Sequence, residues 1–235
     1  MRALPLFVPH TAQELALVQS LKRSELVLEA DTELIHVGRT DGPLYTLLAG
    51  LAFRFKTLSD GRRQILNFLL PGDFIGVQQK MEDGAAHGVV TLTTARFCVF
   101  KHDALWELHR REPSMGFNVT WLTAHEESLV DDNLLSIGRR SAEECVATLL
   151  IQLYKRTAAV QAPVAGRGVL FPLTQQHIAD ALGLSLAHTN KTLRKLQRRG
   201  LHRIDDGHLQ LLDAKALARL GDVYGDGKPP PRPLV

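Results

Sequence analysis

Two short helical patterns joined by a glycine, within residues 174–200, constrain the fold of this chain more than any other feature. Thr174 and Ser185 are good N-caps, and Gly183 between them allows a tight turn through positive φ. Four residues of the second pattern share one face at helical spacing, namely Leu186, Thr189, Leu193 and Leu196. We predict that this face is buried and that the segment is a helix-turn-helix.

The other face of the second helix is cationic and carries an amide, which is typical of a helix that enters the major groove of DNA. Lysine can pair with guanine and asparagine with adenine, so Asn190 and Lys191 are the predicted base-reading residues. The predicted phosphate contacts are Arg194, Lys195, Arg198 and Arg199. The complete set of predicted DNA-binding residues is Thr174, Gln175, Gln176, Ser185, Ala187, His188, Asn190, Lys191, Arg194 and Lys195.

A wing and an excess of positive charge accompany this segment. Residues 201–204 and 208–211 flank an Asp-Asp-Gly turn signal, which predicts two short paired strands. The net charge is +3 for the whole chain, but it is −4 over residues 1–138 and +7 over residues 139–235. A basic helix alone could be a solvated face of another all-α domain. The caps, the turn glycine, the wing and the charge together favour DNA binding.

The N-terminal part has the pattern of an antiparallel β domain. Thr11 caps a short helical pattern over residues 11–21, and short apolar runs separated by glycine-containing turns follow up to residue 100. Asp60-Gly61 is the clearest hairpin signal, because residues 51–55 and 64–68 on either side are rich in strand formers. The pattern predicts an antiparallel sandwich or barrel.

Helical patterns return at residues 114–136 and 141–156. Met115, Leu122 and Leu129 recur every seven residues and predict a packing seam, although His125 and Asp132 are poor residues for a coiled coil. Residues 225–235 are rich in proline and glycine, and we predict that they form a disordered tail.

Several classes of protein are excluded. No apolar run approaches the ~20 residues of a membrane span, and prolines interrupt the N-terminal apolar stretch where a signal peptide would need a continuous one. Cys98 and Cys145 are too few for a four-cysteine metal site, so we predict no metal site and a cytoplasmic protein with reduced thiols.

No catalytic motif is found, so an enzyme is not predicted. A ligand-binding module that acts through protein contacts remains the other alternative.

Three segments, in this order, resemble a known family. Residues 70–76, Leu-Pro-Gly-Asp-Phe-Ile-Gly, resemble a turn of the cyclic-nucleotide-binding-type β-roll. Residues 138–144 resemble the hinge and the helix that follows it, and residues 173–193 with the wing resemble a winged helix. The chain is therefore similar over residues 11–220 to the Crp/Fnr transcription regulators, and most similar to their FixK-like and FNR-like subgroups.

The resemblance implies an α+β fold with an N-terminal antiparallel β-roll (1–112), a long dimerisation helix (113–137), a winged helix-turn-helix (138–224) and a tail (225–235). It also implies a homodimer, joined through the helix that carries Met115, Leu122 and Leu129. Such a dimer would bind a palindromic site on double-stranded DNA. RNA polymerase is the implied protein partner, no membrane partner is implied, and activation is favoured over repression.

The same resemblance bears on the effector and the operator. Cyclic-nucleotide binders of the family follow the turn with Glu-Leu and, about nine residues later, with an Arg-Ser or Arg-Thr pair that holds the phosphate. The corresponding candidate pocket here consists of Gly76, Val77, Gln78, His87 and Gly88. These residues include neither the glutamate nor the arginine and hydroxyl that hold the phosphate, so cAMP is not expected to bind. An FNR-type iron–sulfur cluster is excluded because no cysteine precedes Cys98, while haem or another small effector stays open.

Cys145 and the recognition helix leave two further questions open. Cys145 is either a redox switch or a small buried hydrophobic residue. Ala187, Asn190 and Lys191 stand where FNR-like members have Glu, Ser and Arg, so the family's operator does not carry over to this chain.

Overall fold

The computed structural model describes residues 6–40, 42–81, 84–101, 103–223 and 231–235. The chain divides into two compact units. The first contains residues 1–56, 67–129 and 230–235, and the second contains residues 57–66 and 130–229. Among the described residues, no helix combines the length and apolar character that crossing a membrane requires.

The first unit is a β-roll with flanking helices. Its elements are α1 (Ala12–Leu21), β1 (Lys22–Leu28), β2 (Glu33–Ile35), β3 (Leu44–Ala49), β4 (Ala52–Thr57), β5 (Arg63–Leu69), β6 (Phe74–Ile75), α2 (Gln78–Met81), β7 (Gly88–Thr91), β8 (Ala95–Phe100), α3 (Ala104–Arg111) and the start of α4 (Pro113–Arg139). Of these, β4 and β5 share residues 57 and 63–66 with the second unit. The strands form two four-stranded sheets in the orders β1-β8-β3-β6 and β2-β7-β4-β5. This architecture confirms the predicted antiparallel β-roll.

Local signals account for two of these elements. The Thr11 side chain accepts a hydrogen bond from the Glu14 amide (3.1 Å), and the Glu14 carboxylate accepts one from the Thr11 amide (2.8 Å), so α1 begins with a capping box. Between β4 and β5, the Leu58 amide donates to the Arg62 carbonyl (2.8 Å), and Gly61 adopts a φ of +87° that suits glycine. The hairpin predicted at Asp60-Gly61 is therefore present.

The core of the first unit corrects part of the predicted dimer seam. Met115 and Leu122 are 0% and 5% exposed, respectively, and they pack in one cluster with side chains of α1, α3 and the roll, among them Leu44, Phe100 and Leu108. Leu129 is half-buried. The seven-residue spacing correctly identified an apolar face of α4, but for Met115 and Leu122 this face covers the chain's own roll.

The tail prediction is also corrected for the residues that the structure describes. Residues 225–230 of the predicted disordered tail lie outside the described residues. Residues 231–235 pack in the first unit, where Arg232, Leu234 and Val235 are buried. Proline-rich composition therefore did not prevent ordering, because these residues have partners far away in the sequence.

The second unit contains helices and a small sheet. Its elements are the end of α4, α5 (Ala142–Val160), β9 (Val169–Leu170), α6 (Gln175–Leu182), α7 (Leu186–Arg198), β10 (His202–Asp205), β11 (His208–Leu211) and α8 (Ala214–Leu220). The sheet has the order β10-β11-β9. Ser141 and Glu144 form a capping box at the start of α5, and this helix extends past residue 156, where its predicted range ended.

Candidate nucleic-acid interface

The helix-turn-helix is built from two caps and one left-handed glycine. The Thr174 hydroxyl accepts a hydrogen bond from the His177 amide (3.2 Å), and the Ser185 hydroxyl accepts one from the His188 amide (3.2 Å). Between the helices, Gly183 has φ +65° and ψ 25°, a conformation that strains residues with a Cβ. The two N-caps and the positive φ of Gly183 together set the direction of α7 relative to α6.

The buried side of α7 differs from the prediction at one position. Thr189, Leu193 and Leu196 are buried as expected, but Leu186 is 43% exposed. Thr192 is buried instead. Residues 189, 192, 193 and 196 have the i, i+3, i+4, i+7 spacing of a buried face, and Leu186 lies in the first turn, outside the packed part of the helix.

The exposed side of α7 carries two groups of cations. Lys191, Arg194 and Arg198 are exposed, and the described part of the chain offers them no ion-pair partner. Lys195 forms an ion pair with Glu143 of α5, and Arg199 contacts the same carboxylate at 3.2 Å. The prediction treated Lys195 and Arg199 as free phosphate contacts, whereas in this structure one acidic residue engages both.

The residues at the start of α7 are open to solvent, with one exception. Ser185, Ala187 and His188 are exposed, as a groove-facing helix requires. Asn190 is half-buried, and its Oδ1 atom is buried without a hydrogen-bond partner among the described residues. A two-bond contact with adenine uses both Oδ1 and Nδ2, so Asn190 would have to rotate to make it.

The start of α6 presents polar side chains, and some of them are already engaged. Thr174, Gln175 and Gln176 are exposed, as predicted, and Gln176 donates to Asp180 at 2.6 Å. Asp180 also accepts a hydrogen bond from the Nε of Arg63 at 2.9 Å.

The contact made by Arg63 belongs to a hairpin that sequence reasoning did not connect with this site. Residues 57–66 belong to the second unit, and Gln64 donates to the Ala181 carbonyl at 3.0 Å. No local sequence signal could reveal the contact, since Arg63 and Asp180 are 117 positions apart. It restrains the C-terminal half of α6, next to the turn glycine.

The predicted wing is present. His202 pairs with Leu211 and Asp205 with His208 in an antiparallel register. Asp206 and Gly207 both have positive φ, 44° and 66°, as the tightest hairpin turns require. The Arg203 side chain is exposed on this wing and adds a cation to the surface of the second unit.

The candidate pocket in the first unit has a histidine and a glycine at the two positions of the family's phosphate clamp. His87 is buried, and desolvation, followed by the positive charges of Arg54 and Lys56, lowers its pKa to about 4, so the ring is neutral near pH 7. A Cβ atom placed on Gly88 would lie 2.5 Å from the Phe55 ring. A neutral imidazole and a ring therefore stand where the family's clamp has a guanidinium and a small hydroxyl.

Gly76 of the candidate pocket lies against a glutamine side chain. Gly76 has φ +101°, and a Cβ atom on it would lie 2.7 Å from Nε2 of Gln79, which donates to the Pro43 carbonyl at 2.8 Å. Val77 is half-buried and Gln78 is exposed. The side chain next to the Gly76 turn is therefore Gln79, a residue that the sequence comparison did not select.

Cys145 has the surroundings of a buried hydrophobic residue. Its thiol donates to the Ser136 carbonyl at 3.1 Å, and burial raises the pKa of Cys145 above its ordinary value. The reactive form of a cysteine is the thiolate, which this site disfavours. The redox alternative therefore receives no support from the environment of Cys145.

A capped helix-turn-helix with a cationic outer face and a wing defines a DNA-binding regulator, and comparison with known proteins agrees. Residues 145–220 match the Crp-like helix-turn-helix domain, and residues 25–112 match the cyclic nucleotide-binding domain. The chain belongs to the Crp/Fnr family of transcription regulators, which confirms the family, the fold class and the DNA-binding function predicted from the sequence.

Individual relatives cover most of the chain. It is 36% identical over 173 residues to the transcriptional activatory protein AadR of Rhodopseudomonas palustris, which is 73% of this chain and 70% of that protein. It is 34% identical over 169 residues to the nitrogen fixation regulation protein FixK of Bradyrhizobium diazoefficiens, with 72% and 70% coverage. The structure of FixK2 from Bradyrhizobium japonicum superimposes with a TM-score of 0.76 at 26% identity, over 86% of this chain and 98% of that one.

Proposed function

We propose that this chain is a homodimeric transcription activator that binds a palindromic promoter site in the cytoplasm and contacts RNA polymerase there. The observation that carries the proposal is the surface of α7, where Lys191, Arg194 and Arg198 are exposed while the opposite side of the helix is buried. Activation is supported by the relatives of the chain, among them the transcriptional activatory protein AadR. An enzyme is not proposed, because no catalytic motif supports one.

In this proposal some residues of α7 contact bases and others contact phosphates. Lys191 lies in the middle of the helix and reads guanine, while Arg194 and Arg198, one and two turns further on, contact phosphates. Asn190 contributes base reading only after its buried Oδ1 rotates outwards. Lys195 and Arg199 bind phosphate only when they leave Glu143.

We place the dimer seam on the face of α4 opposite Met115 and Leu122. Phe117 is a large apolar residue that is 68% exposed, and helical spacing puts it on one side of α4 with the small residues Ala124 and Ser128. Small residues allow two helices to approach closely, and exposed large apolar residues mark contact surfaces. This face replaces Met115 and Leu122 of the seam that the sequence predicted.

DNA binding is tested by selecting preferred duplexes from a random pool and then measuring their affinity by fluorescence anisotropy at several salt concentrations. Lys191→Ala should weaken specific binding by about 1–3 kcal/mol and relax the preference at one base position. Lys215→Ala, at an exposed lysine of α8, is the matched control and should keep that preference. A chain that binds no duplex, or binds with no salt dependence, contradicts the proposal.

The dimer seam is tested by sedimentation. Phe117→Glu should shift the chain towards monomer, because two like charges would face each other across a twofold axis. Leu212→Glu, at an exposed leucine, is the control and should leave the dimer intact. A monomeric wild-type chain, or dimers of unchanged stability, would rule out this seam.

We also propose that cAMP is not the effector, because the phosphate clamp is missing at His87 and Gly88. A ligand with a Kd of ~10 μM, present at about 1 mM, stabilises a protein by about 2.7 kcal/mol, so its binding would raise the melting temperature clearly. We expect no such rise with cAMP. A clear rise would overturn the pocket argument, and the same assay can screen haem and other small effectors.

A further inference from the structure

The last described residues pair with residues 6–8 of the first unit. The Arg232 amide donates to the Leu6 carbonyl (2.8 Å), and the Val8 amide donates to the Arg232 carbonyl (3.0 Å). These two bonds pair residue 232 with Phe7 in a parallel bridge. Main-chain pairing of this kind is the usual way in which a protein holds an extended peptide.

A buried ion pair anchors the segment on the Leu-Pro-Gly-Asp turn. The Arg232 guanidinium is buried and contacts Asp73 Oδ1 at 2.7 Å, and it lies 3.5 Å from the Gly72 carbonyl. The other carboxylate oxygen of Asp73 accepts a hydrogen bond from the Leu70 amide (2.8 Å), so the turn itself orients the carboxylate. A buried charge needs such a partner, and Asp73 supplies it to Nη2 of Arg232, while Arg232 Nε is buried without a hydrogen-bond partner among the described residues.

Apolar contacts complete the site. Gly72 has φ +95°, and a Cβ atom there would lie 2.5 Å from the Phe7 ring and 3.7 Å from Leu234. Leu234 is buried, and Val235 belongs to the same core cluster as Leu44 and Phe74. The Thr46 hydroxyl donates to the Val235 carbonyl. The segment therefore fills specific positions on the roll, with one charged anchor and two apolar anchors.

We infer that the roll carries a peptide-binding site for an extended segment of the pattern Arg-x-apolar-apolar, and that residues 231–235 are its tethered ligand. The described part of the second unit ends at Val223, so only seven residues separate it from this segment. A short tether gives a high effective concentration, which lets a weak site stay occupied. Docking therefore holds the C-terminal segment on the roll by hydrogen bonds, an ion pair and apolar contacts.

The test uses a chain that ends after Val223 and a synthetic peptide of residues 231–235, Pro-Arg-Pro-Leu-Val. Hydrogen exchange and thermal melting are measured for the full chain and for the shortened chain, with and without peptide. We expect the shortened chain to lose protection at the Val8 amide and to melt at a lower temperature. Peptide at millimolar concentration should restore both, while the full chain should bind no peptide because its site is occupied.

Variants make the test specific. A peptide with Arg232→Ala should bind at least about tenfold more weakly, because a buried charge-assisted pair is lost. In the full chain, Arg232→Ala and Leu234→Asp should expose the Val8 amide, whereas Arg219→Ala, at an exposed arginine of α8, should not. These two full-length variants decide the question if the shortened chain does not fold.

Two outcomes overturn the inference. One is a folded shortened chain with unchanged exchange at Val8 and unchanged melting, which would mean that the segment does not dock. The other is a folded shortened chain that loses protection but does not bind the peptide. In either case the DNA-binding proposal is unaffected, because none of these measurements involves DNA.

Discussion

Glu143 engages two cations of the recognition surface, and removing its charge gives a sharp test of how α7 contacts DNA. The Glu143→Gln variant keeps the size of the side chain and abolishes the ion pairs with Lys195 and Arg199. The Glu143 side chain is 28% exposed, and its two partners are about half exposed. Partly exposed pairs contribute at most about 1 kcal/mol each, so the variant should fold normally.

The expected effect on DNA binding follows from counterion release. Each phosphate contact adds about 0.9 to the slope of log K against log salt, so two additional contacts steepen it by about 1.8. Between 50 and 200 mM salt, that change corresponds to about a twelvefold larger loss of affinity for the variant than for the wild type. At the low-salt end the variant should bind more tightly, because Lys195 and Arg199, which Glu143 engages in the wild type, are free to make two additional phosphate contacts.

The assay is fluorescence anisotropy of a labelled duplex over a salt series, with Glu144→Gln as the matched control. That change removes the same charge one residue further along α5. Glutamine can still complete the capping box with Ser141, so the control keeps the helix start. If Glu143→Gln and the control give the same slope as the wild type, Lys195 and Arg199 do not reach phosphates, and the reasoning fails.

Three further predictions test the environment of single residues. The pKa of His87 is lowered to about 4 in the folded chain, whereas it is near 6.5 in the unfolded chain. The contribution of His87 to the free energy of unfolding is therefore complete above pH 6.5 and is lost as the pH falls towards 4. From pH 7.5 to pH 5 this should cost about 2 kcal/mol in urea unfolding, and a His87→Gln variant should lack that part of the pH dependence. Cys98 and Cys145 are buried, so both should resist alkylation until the chain unfolds; rapid modification of native Cys145 would revive the redox alternative. Gly183→Ala should destabilise the chain by about 1–2 kcal/mol, whereas Gly138→Ala, in α4 with open space around it, should be neutral or stabilising in the same unfolding assay.

The sequence alone was sufficient for the elements whose signals are local. Thr174, Gly183 and Ser185 mark the ends of two helices within a dozen residues, and a cap or a positive φ acts only on its immediate neighbours. The hairpin at Asp60-Gly61 and the wing have equally short-range causes. These features led to the β-roll, the winged helix and the DNA-binding function before any tertiary contact was known.

Tertiary structure decided which surfaces are free. Periodicity shows that Met115 and Leu122 share an apolar face, but it cannot show that the face covers the same chain's roll. Composition predicts disorder for the tail, but the partner of Arg232 is Asp73, 159 positions away. The charge of Lys195 is visible in the sequence, while the carboxylate that engages it lies on another helix. Local propensity determines the elements of this protein, because it depends on neighbours along the chain. Whether a side chain is free to bind DNA, a second copy of the chain or a peptide depends on residues that only folding brings together.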